Sequence, residues 1–443
     1  MTAWNSRRAT AAGAPGQRRE TRARNAVVAA ALFAASLTLL VLLFQTFSSQ
    51  PWQLLDLRVY LWGGGLVRHA HDPYLYSFPH YGLHFTYTPE AAGFFALISL
   101  ISEPVVKVLV TAASIISLLG VLWITAGALP GRLSRGRVGI TLAVAAAALW
   151  LEPLRQTLSF GQVNLLLMVL IVADLCLPGS RWWKGAGVGL AAGFKLTPLI
   201  FIPYLLLTRQ FRAAAVATAT FALTIAASVA LLPKATEHYW FDRLFVNPHR
   251  LGNIAYVGNQ SLYGALLRLT GSPAAAQPYR LAAVAVVGTG GLLLAAWASR
   301  RGLEMAGILT CALTGLLVSP VSWSHHWVWV APMIVVLADL ATRPLALAQA
   351  RRWRVACWLG IAAIAVVFSG IIWAVPSAGG HKAAVQGHVM TPGQQFIGDL
   401  YVLAGLLGLG VTAAVLILAW RREQRVVTPA TTCQGASTGA STS

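Results

Sequence analysis

Six clusters of polar residues interrupt an otherwise apolar chain. Asp56 lies in Leu55-Asp56-Leu57-Arg58-Val59-Tyr60, just past the first long apolar run. A carboxylate beside apolar surface has its pKa raised toward the range of a general base. A plainer role is the N-cap of a short interfacial helix. Asp72-Pro73-Tyr74-Leu75-Tyr76 and Phe85-Thr86-Tyr87-Thr88-Pro89-Glu90 bring aromatic faces that stack on sugar rings and equally suit an interfacial aromatic belt. Glu152 and Arg155 have the spacing of a helical ion pair. Gln162 and Asn164 open an apolar helix, where polar groups are costly and are functional or bonded between helices.

Lys195 interrupts a membrane hairpin at Phe194-Lys195-Leu196-Thr197-Pro198. An ammonium there either snorkels to an interface or holds an anion such as a lipid phosphate. Asn259-Gln260-Ser261, with Arg268 further on, has the amides and hydroxyl that match a sugar, although such residues are common in any loop. His325 and His326 sit among Trp323, Trp327 and Trp329 in Ser319-Pro320-Val321-Ser322-Trp323-Ser324-His325-His326-Trp327-Val328-Trp329. No further ligands at zinc spacing accompany them. Imidazolium donors to a phosphate fit this pair better than an interfacial polar turn.

The elements that position these groups are set by composition. Of 443 residues, 57% are apolar and only 10% charged, against roughly 25% charged in soluble domains. This excludes a soluble enzyme, a disordered chain and a single-pass anchor. The runs are long and Ala/Leu/Val-rich, without the alternation of a membrane β-barrel. The fold class is therefore an all-α polytopic membrane protein. The four cysteines, at 176, 311, 357 and 433, suggest neither a disulfide framework nor a metal site. The net charge of +20 reads as the positive-inside signal rather than as a nucleic-acid partner.

Breaks between apolar runs are of two kinds. Basic ones, at 132–137, 181–184, 209–212, 300–301, 343–354 and 421–425, hold most of the Lys and Arg together with the tail 1–24. They are expected in the cytoplasm. Polar, aromatic ones, at 48–88, 152–160, 233–279, 320–326 and 376–399, are expected outside. The membrane domain runs from 25 to 426 with about twelve crossings, and 427–443 is expected to be a disordered tail. The run 88–101 is short for a span. In the hairpin 185–208 two half-length pieces meet at Lys195, deep enough to floor an external cavity.

No Walker A loop or dinucleotide fingerprint is present, and no soluble region is large enough for a nucleotide-sugar domain. A carboxylate, a deep lysine, histidines and sugar-matching groups on the outer face point to group transfer from a lipid-linked donor. At Asp56-Leu57-Arg58-Val59-Tyr60, Phe85-Thr86-Tyr87-Thr88-Pro89, Trp150-Leu151-Glu152-Pro153-Leu154-Arg155, Gly161-Gln162-Val163-Asn164, Lys195-Leu196-Thr197-Pro198, Asn259-Gln260-Ser261 and Ser319 to Trp327, the chain resembles glycosyltransferase family 87. These are the polyprenol-phosphate-mannose-dependent α-1,2-mannosyltransferases of actinobacteria. The matches run in order over about two-thirds of the chain, and Thr88 stands where the family pattern has Pro.

The resemblance implies a GT-C fold, a polyprenyl-phosphate-mannose donor and inversion without metal or other cofactor. It implies an acceptor such as a phosphatidylinositol mannoside, lipomannan or lipoarabinomannan. Asp56 takes the place of the family's base. Lys195, His325, His326 and Arg155 are the expected donor-phosphate ligands. Arg58, Tyr60, Tyr87, Glu152, Gln162, Asn164, Asn259, Gln260 and Trp323 are the expected sugar and acceptor contacts. The rival readings are an arabinofuranosyltransferase using polyprenyl-phosphate-arabinose and a flippase of lipid-linked sugars, though no internal repeat marks the latter. The expected setting is the plasma membrane, with the site on its external side.

Overall fold

In lipid, a lone segment satisfies all its backbone N–H and C=O groups only as a helix, and the apolar runs take that form. The computed structural model describes residues 15–47, 53–130, 136–242, 244, 250, 252–343, 347–375 and 390–427. The start of the basic tail, the basic turn at 131–135, residues 245–249, most of the segment 376–399 and the tail beyond 427 lie outside them.

The chain opens with α1 (Pro15–Phe47), whose helix begins upstream of the apolar run at Asn25. Next come α2 (Leu55–Arg68), a two-stranded ribbon of β1 (Ser77–Phe78) and β2 (Leu83–His84), and α3 (Pro89–Ile98). The ribbon is antiparallel, with Ser77 opposite His84. Then follow α4 (Glu103–Ala128), α5 (Arg137–Ala148), α6 (Glu152–Phe160), α7 (Asn164–Leu175), α8 (Ala186–Phe194), α9 (Phe201–Leu207), α10 (Phe211–Leu231) and α11 (Pro233–Trp240). The last third holds α12 (Leu262–Thr270), α13 (Pro273–Arg300), α14 (Glu304–Val318), α15 (Val330–Thr342), α16 (Leu347–Val367), α17 (Pro392–Gly398) and α18 (Leu400–Val427).

Six of the described helices are long and apolar enough to cross a membrane, or up to seven if α5 and α6, bent by 78°, form one broken span. The sequence predicts about twelve crossings. The difference lies in short apolar helices such as α3, α7 and α14. A 12-residue helix rises only about 18 Å, well short of the hydrocarbon thickness. The run 88–101 forms the 10-residue α3, too short to span by itself.

The half-length hairpin is present. Helix α8 ends at Phe194, Lys195 is extended (φ −151°, ψ 131°), and a 3-10 turn over Thr197–Ile200 leads into α9. Asp174 of α7 starts this hairpin by accepting the backbone N–H groups of Gly185 (2.9 Å) and Val188 (3.0 Å). Helix packing in lipid relies on close van der Waals contact rather than on the hydrophobic effect. At Gly189 a Cβ would come within 2.4 Å of the Ala217 carbonyl oxygen, so glycine is what lets α8 lie on α10.

The main core spans α4, α7, α14, the 3-10 turn Ser324–Trp329 and α15, around Leu118, Met168, Leu317, Trp327 and Val335. A second, aromatic cluster joins α2, α3 and the ribbon through Tyr60, Phe85, Tyr87 and Phe95. Leu167 packs against both. The polar residues of interest gather along this seam.

Candidate functional site

A cavity of about 970 Å³ opens at the seam, at the upper end of the usual range for ligand pockets. Of the residues predicted from sequence, Asp56, Tyr60, Tyr87, Gln162, Lys195, Trp323, His325 and His326 line it. Two left-handed residues bring its first wall together. Leu54 (φ 43°) turns the chain into α2, which places Asp56 in the first helical turn rather than at the N-cap. Gly161 (φ 68°) ends α6, and a Cβ there would stand 2.7 Å from that of Leu57. Only glycine combines this φ with so close an approach. The next residue, Gln162, thereby reaches α2 and donates through Nε2 to Asp56 Oδ2.

The wall continues through Tyr87, whose hydroxyl donates to Gln162 Oε1 (2.9 Å) and accepts from Tyr60 (3.2 Å). Burial pushes the Asp56 carboxyl up to about 6, and the Gln162 hydrogen bond and the Lys195 charge hold it from rising further. A carboxylate so poised carries a proton-accepting oxygen close to neutral pH.

Lys195, at the break of the hairpin, forms the second wall. Its ammonium donates to Asn164 Oδ1 (3.2 Å) and the Tyr87 hydroxyl (3.5 Å), and stands 3.0 Å from His326 Nε2. An ammonium donates there only to a neutral ring with its proton on Nδ1. The expectation of an imidazolium at His326 is therefore corrected, because two cations at that distance would repel. No ion pair among the described residues includes Lys195. The carbonyl of His325 accepts from Thr157 Oγ1 (2.9 Å) and Asn164 Nδ2 (2.9 Å), which fixes its backbone. Its Nε2 is buried without a hydrogen-bond partner. A buried ring nitrogen without a partner is an exception that calls for one, and in the tautomer with its proton on Nε2 it is a donor.

Other predicted site residues are placed elsewhere. Arg58 pairs with Glu103 (3.4 Å) and lies over the Phe78 ring. Arg155 donates to the Ser369 carbonyl (3.3 Å), outside the cavity lining. The helical ion pair of Glu152 with Arg155 does not form. Glu152 is fully buried and accepts from Ser324 Oγ (2.6 Å), Trp373 Nε1 (3.0 Å) and the Tyr401 hydroxyl (2.9 Å). It braces the turn that carries the histidines.

Asn259 and Gln260 brace the same turn. Asn259 Oδ1 accepts the Ser322 N–H (2.9 Å), and the Gln260 N–H donates to the Ser322 carbonyl (2.7 Å). The Gln260 side chain is consumed by the carbonyls of Val257 and Gly398 (both 2.6 Å) and by the Tyr401 N–H (3.2 Å). Arg268, paired with Asp399, ties down the loop beneath by donating to the Tyr256 and Asn259 carbonyls (both 3.0 Å). Among the described residues no group of three or more His, Cys, Asp or Glu converges as metal ligands do.

Sequence reasoning missed several lining residues with polar side chains, among them His84, Gln156, Arg250 and Tyr256. Arg250 had one available signal: it is one of three arginines, with Arg243 and Arg268, in the segment 233–279 expected outside the membrane, where the positive-inside rule gives them no orienting role.

The model of glycosyltransferase family 87 matches residues 85–320. A relative from Mycobacterium tuberculosis (strain CDC 1551 / Oshkosh), a polyprenol-phosphate-mannose-dependent α-(1-2)-phosphatidylinositol pentamannoside mannosyltransferase, is 34% identical over 369 residues, covering 81% of each chain. A phosphatidylinositol mannoside mannosyltransferase of the same dependence, from M. tuberculosis (strain ATCC 25618 / H37Rv), is 36% identical over 64% of this chain and 67% of its own. Its counterpart from Mycolicibacterium smegmatis (strain ATCC 700084 / mc(2)155) is 34% identical over 66% and 71%. No solved structure matches the chain.

Proposed function

The chain belongs to glycosyltransferase family 87 and is a membrane glycosyltransferase, and we propose that it moves mannose from polyprenyl-phosphate-mannose to a phosphatidylinositol mannoside or a related lipid-linked mannan. The new bond is α-1,2 and forms with inversion. The names of the relatives support both donor and acceptor.

The observation that carries the mechanism is a carboxylate with its pKa raised toward neutrality and a half-buried lysine on two walls of one cavity. Asp56 takes the proton of the acceptor hydroxyl. That oxygen attacks the anomeric carbon, and the carbon–oxygen bond to the lipid phosphate breaks in the same displacement. The phosphate leaves with the electron pair. Its growing charge is met by Lys195 and by the open Nε2–H of His325, donors that count most in the transition state. A phosphate is a good leaving group, so no separate acid is required. The alternation of basic and polar loops supports a cavity that opens on the outer face of the plasma membrane.

Purified protein in lipid nanodiscs, given labelled polyprenyl-phosphate-mannose and a phosphatidylinositol mannoside, tests the reading. The expected product carries one added mannose removable by an α-1,2-mannosidase. Transfer from polyprenyl-phosphate-arabinose alone would overturn the donor. Passage of the donor across vesicles without a new glycosidic bond would overturn the enzyme's chemistry in favour of a flippase.

A further inference from the structure

The cavity has a second cationic wall. Arg250 lines it, half-buried, and its guanidinium donates to the carbonyl oxygens of Tyr74 (2.6 Å) and Phe85 (3.4 Å). A guanidinium has five N–H donors, so these two carbonyls leave several available. No ion pair among the described residues includes Arg250. Asp72, whose charge reaches it, is already committed. Its Oδ2 lies 2.6 Å from His238 Nδ1 and its Oδ1 accepts the Tyr74 N–H (2.8 Å). His84, at the end of β2, lines the same cavity, and its Nδ1 is buried with no hydrogen-bond partner. The two groups are near enough that Arg250, after burial, helps to lower the His84 pKa, against a hydrogen bond of the ring to the Tyr76 backbone. A guanidinium with free N–H donors and no direct ion pair is an anion-binding group, and His84 Nδ1 adds a second donor in the tautomer that puts the ring proton there.

This pair is separate from the Lys195 wall. Lys195 reaches the hydroxyl tip of Tyr87, whereas Arg250 holds the backbone of Phe85. Between them the Tyr87 carbonyl is held by the Tyr74 hydroxyl (2.7 Å). An inverting displacement sets the attacking hydroxyl and the leaving phosphate on opposite sides of the anomeric carbon. An anion held away from Lys195 therefore belongs with the acceptor. The geometry points to Arg250 and His84 as a second anion subsite, one that takes the phosphodiester of an acceptor glycolipid while Lys195 meets the phosphate of the donor. The assignment deepens the acceptor reading above and rests on it.

The test measures initial rates of the full-length protein in nanodiscs with two acceptors. One is phosphatidylinositol dimannoside; the other is octyl α-mannoside, which has no phosphate. Arg250→Gln is expected to raise the KM for the phosphate-bearing acceptor about tenfold or more relative to that for octyl mannoside. Arg250→Lys should recover part of the loss, because it keeps the charge without the fork. His84→Ala should shift the same ratio less. Arg280→Gln, which removes a cation stacked on Tyr263, should leave the ratio unchanged. A rise in donor KM with an unchanged acceptor ratio would move Arg250 to the donor and overturn the proposal. An equal rise for both acceptors would make Arg250 a loop brace and overturn it as well.

Binding of phosphatidylinositol against a neutral diacylglycerol mannoside, read by native mass spectrometry, needs no turnover. Selective loss of phosphatidylinositol in Arg250→Gln supports the subsite even if the wild type transfers another sugar. Unchanged selectivity overturns it even if mannose transfer is intact.

Discussion

Asp56 and Glu152 are both carboxylates in the first turn of a short helix, and the fold treats them in opposite ways. Glu152 accepts from three side-chain donors supplied by Ser324, Trp373 and Tyr401, and lies outside the cavity lining. Asp56 accepts from one side chain, Gln162, and lines the cavity. Three donors from three distant segments make the first a fixed joint between elements. Incomplete saturation leaves the second an oxygen for an incoming hydroxyl, at the cost of a carboxylate harder to ionise. Glu152 is fully buried and Asp56 half-buried, and the acid left reactive is the one with fewer committed donors.

The comparison is broken most directly at Asp56. Asp56→Asn keeps the shape and removes the proton acceptor, so turnover should fall by about 10²–10⁴-fold while the thermal midpoint does not drop. A destabilised Asn variant, or one with near-normal turnover, would make Asp56 a joint like Glu152. Glu152→Gln should show the reverse emphasis. Its carbonyl oxygen can still accept from Ser324 and Trp373, but its NH2 then faces the Tyr401 hydroxyl, which must reverse its role; a buried donor left unmatched costs about 1–3 kcal/mol. A clear loss of thermal stability is expected, with a smaller loss of kcat as the turn before His325 relaxes. Full stability in that variant would remove the bracing role.

Gln162→Leu sharpens the contrast through pH. The Asp56 carboxyl works only when ionised, so activity should be present above about 6 and lost as pH falls through that value. The Gln162 hydrogen bond holds this pKa down, so its removal should move the acid limb of kcat/KM upward. A limb that stays put, or moves down, would mean that another group sets it. Thr88→Ala is the mildest change. Thr88 caps α3 at the Ala91 N–H (3.4 Å) and donates to the Gly193 carbonyl (2.5 Å), next to the hairpin break. Loss of such a cap costs about 0.5–2 kcal/mol, measurable as a lower thermal midpoint with the pH limb unmoved.

What the sequence determined by itself is the class of molecule and the types of group at its site. Long apolar runs have one backbone solution in lipid, so the all-helical architecture follows from composition. The broken hairpin is local as well: two half-length runs and Pro198 place a non-helical Lys195 between them. Asp56, Lys195 and the histidine pair stood out because polar residues in apolar surroundings are expensive. Tertiary structure decided which of these polar groups share a cavity. Gln162 reaches Asp56 only because α6 ends against α2. Glu152, Asn259 and Gln260 have the same chemistry as sugar ligands, yet backbone and side chains distant in sequence consume their hydrogen-bonding capacity. Arg250 entered the site from a loop with no helical spacing to announce it. Residue type and local spacing fix what a side chain can do; the packing of helices far apart in sequence fixes which partners remain for it, and no local pattern carries that information.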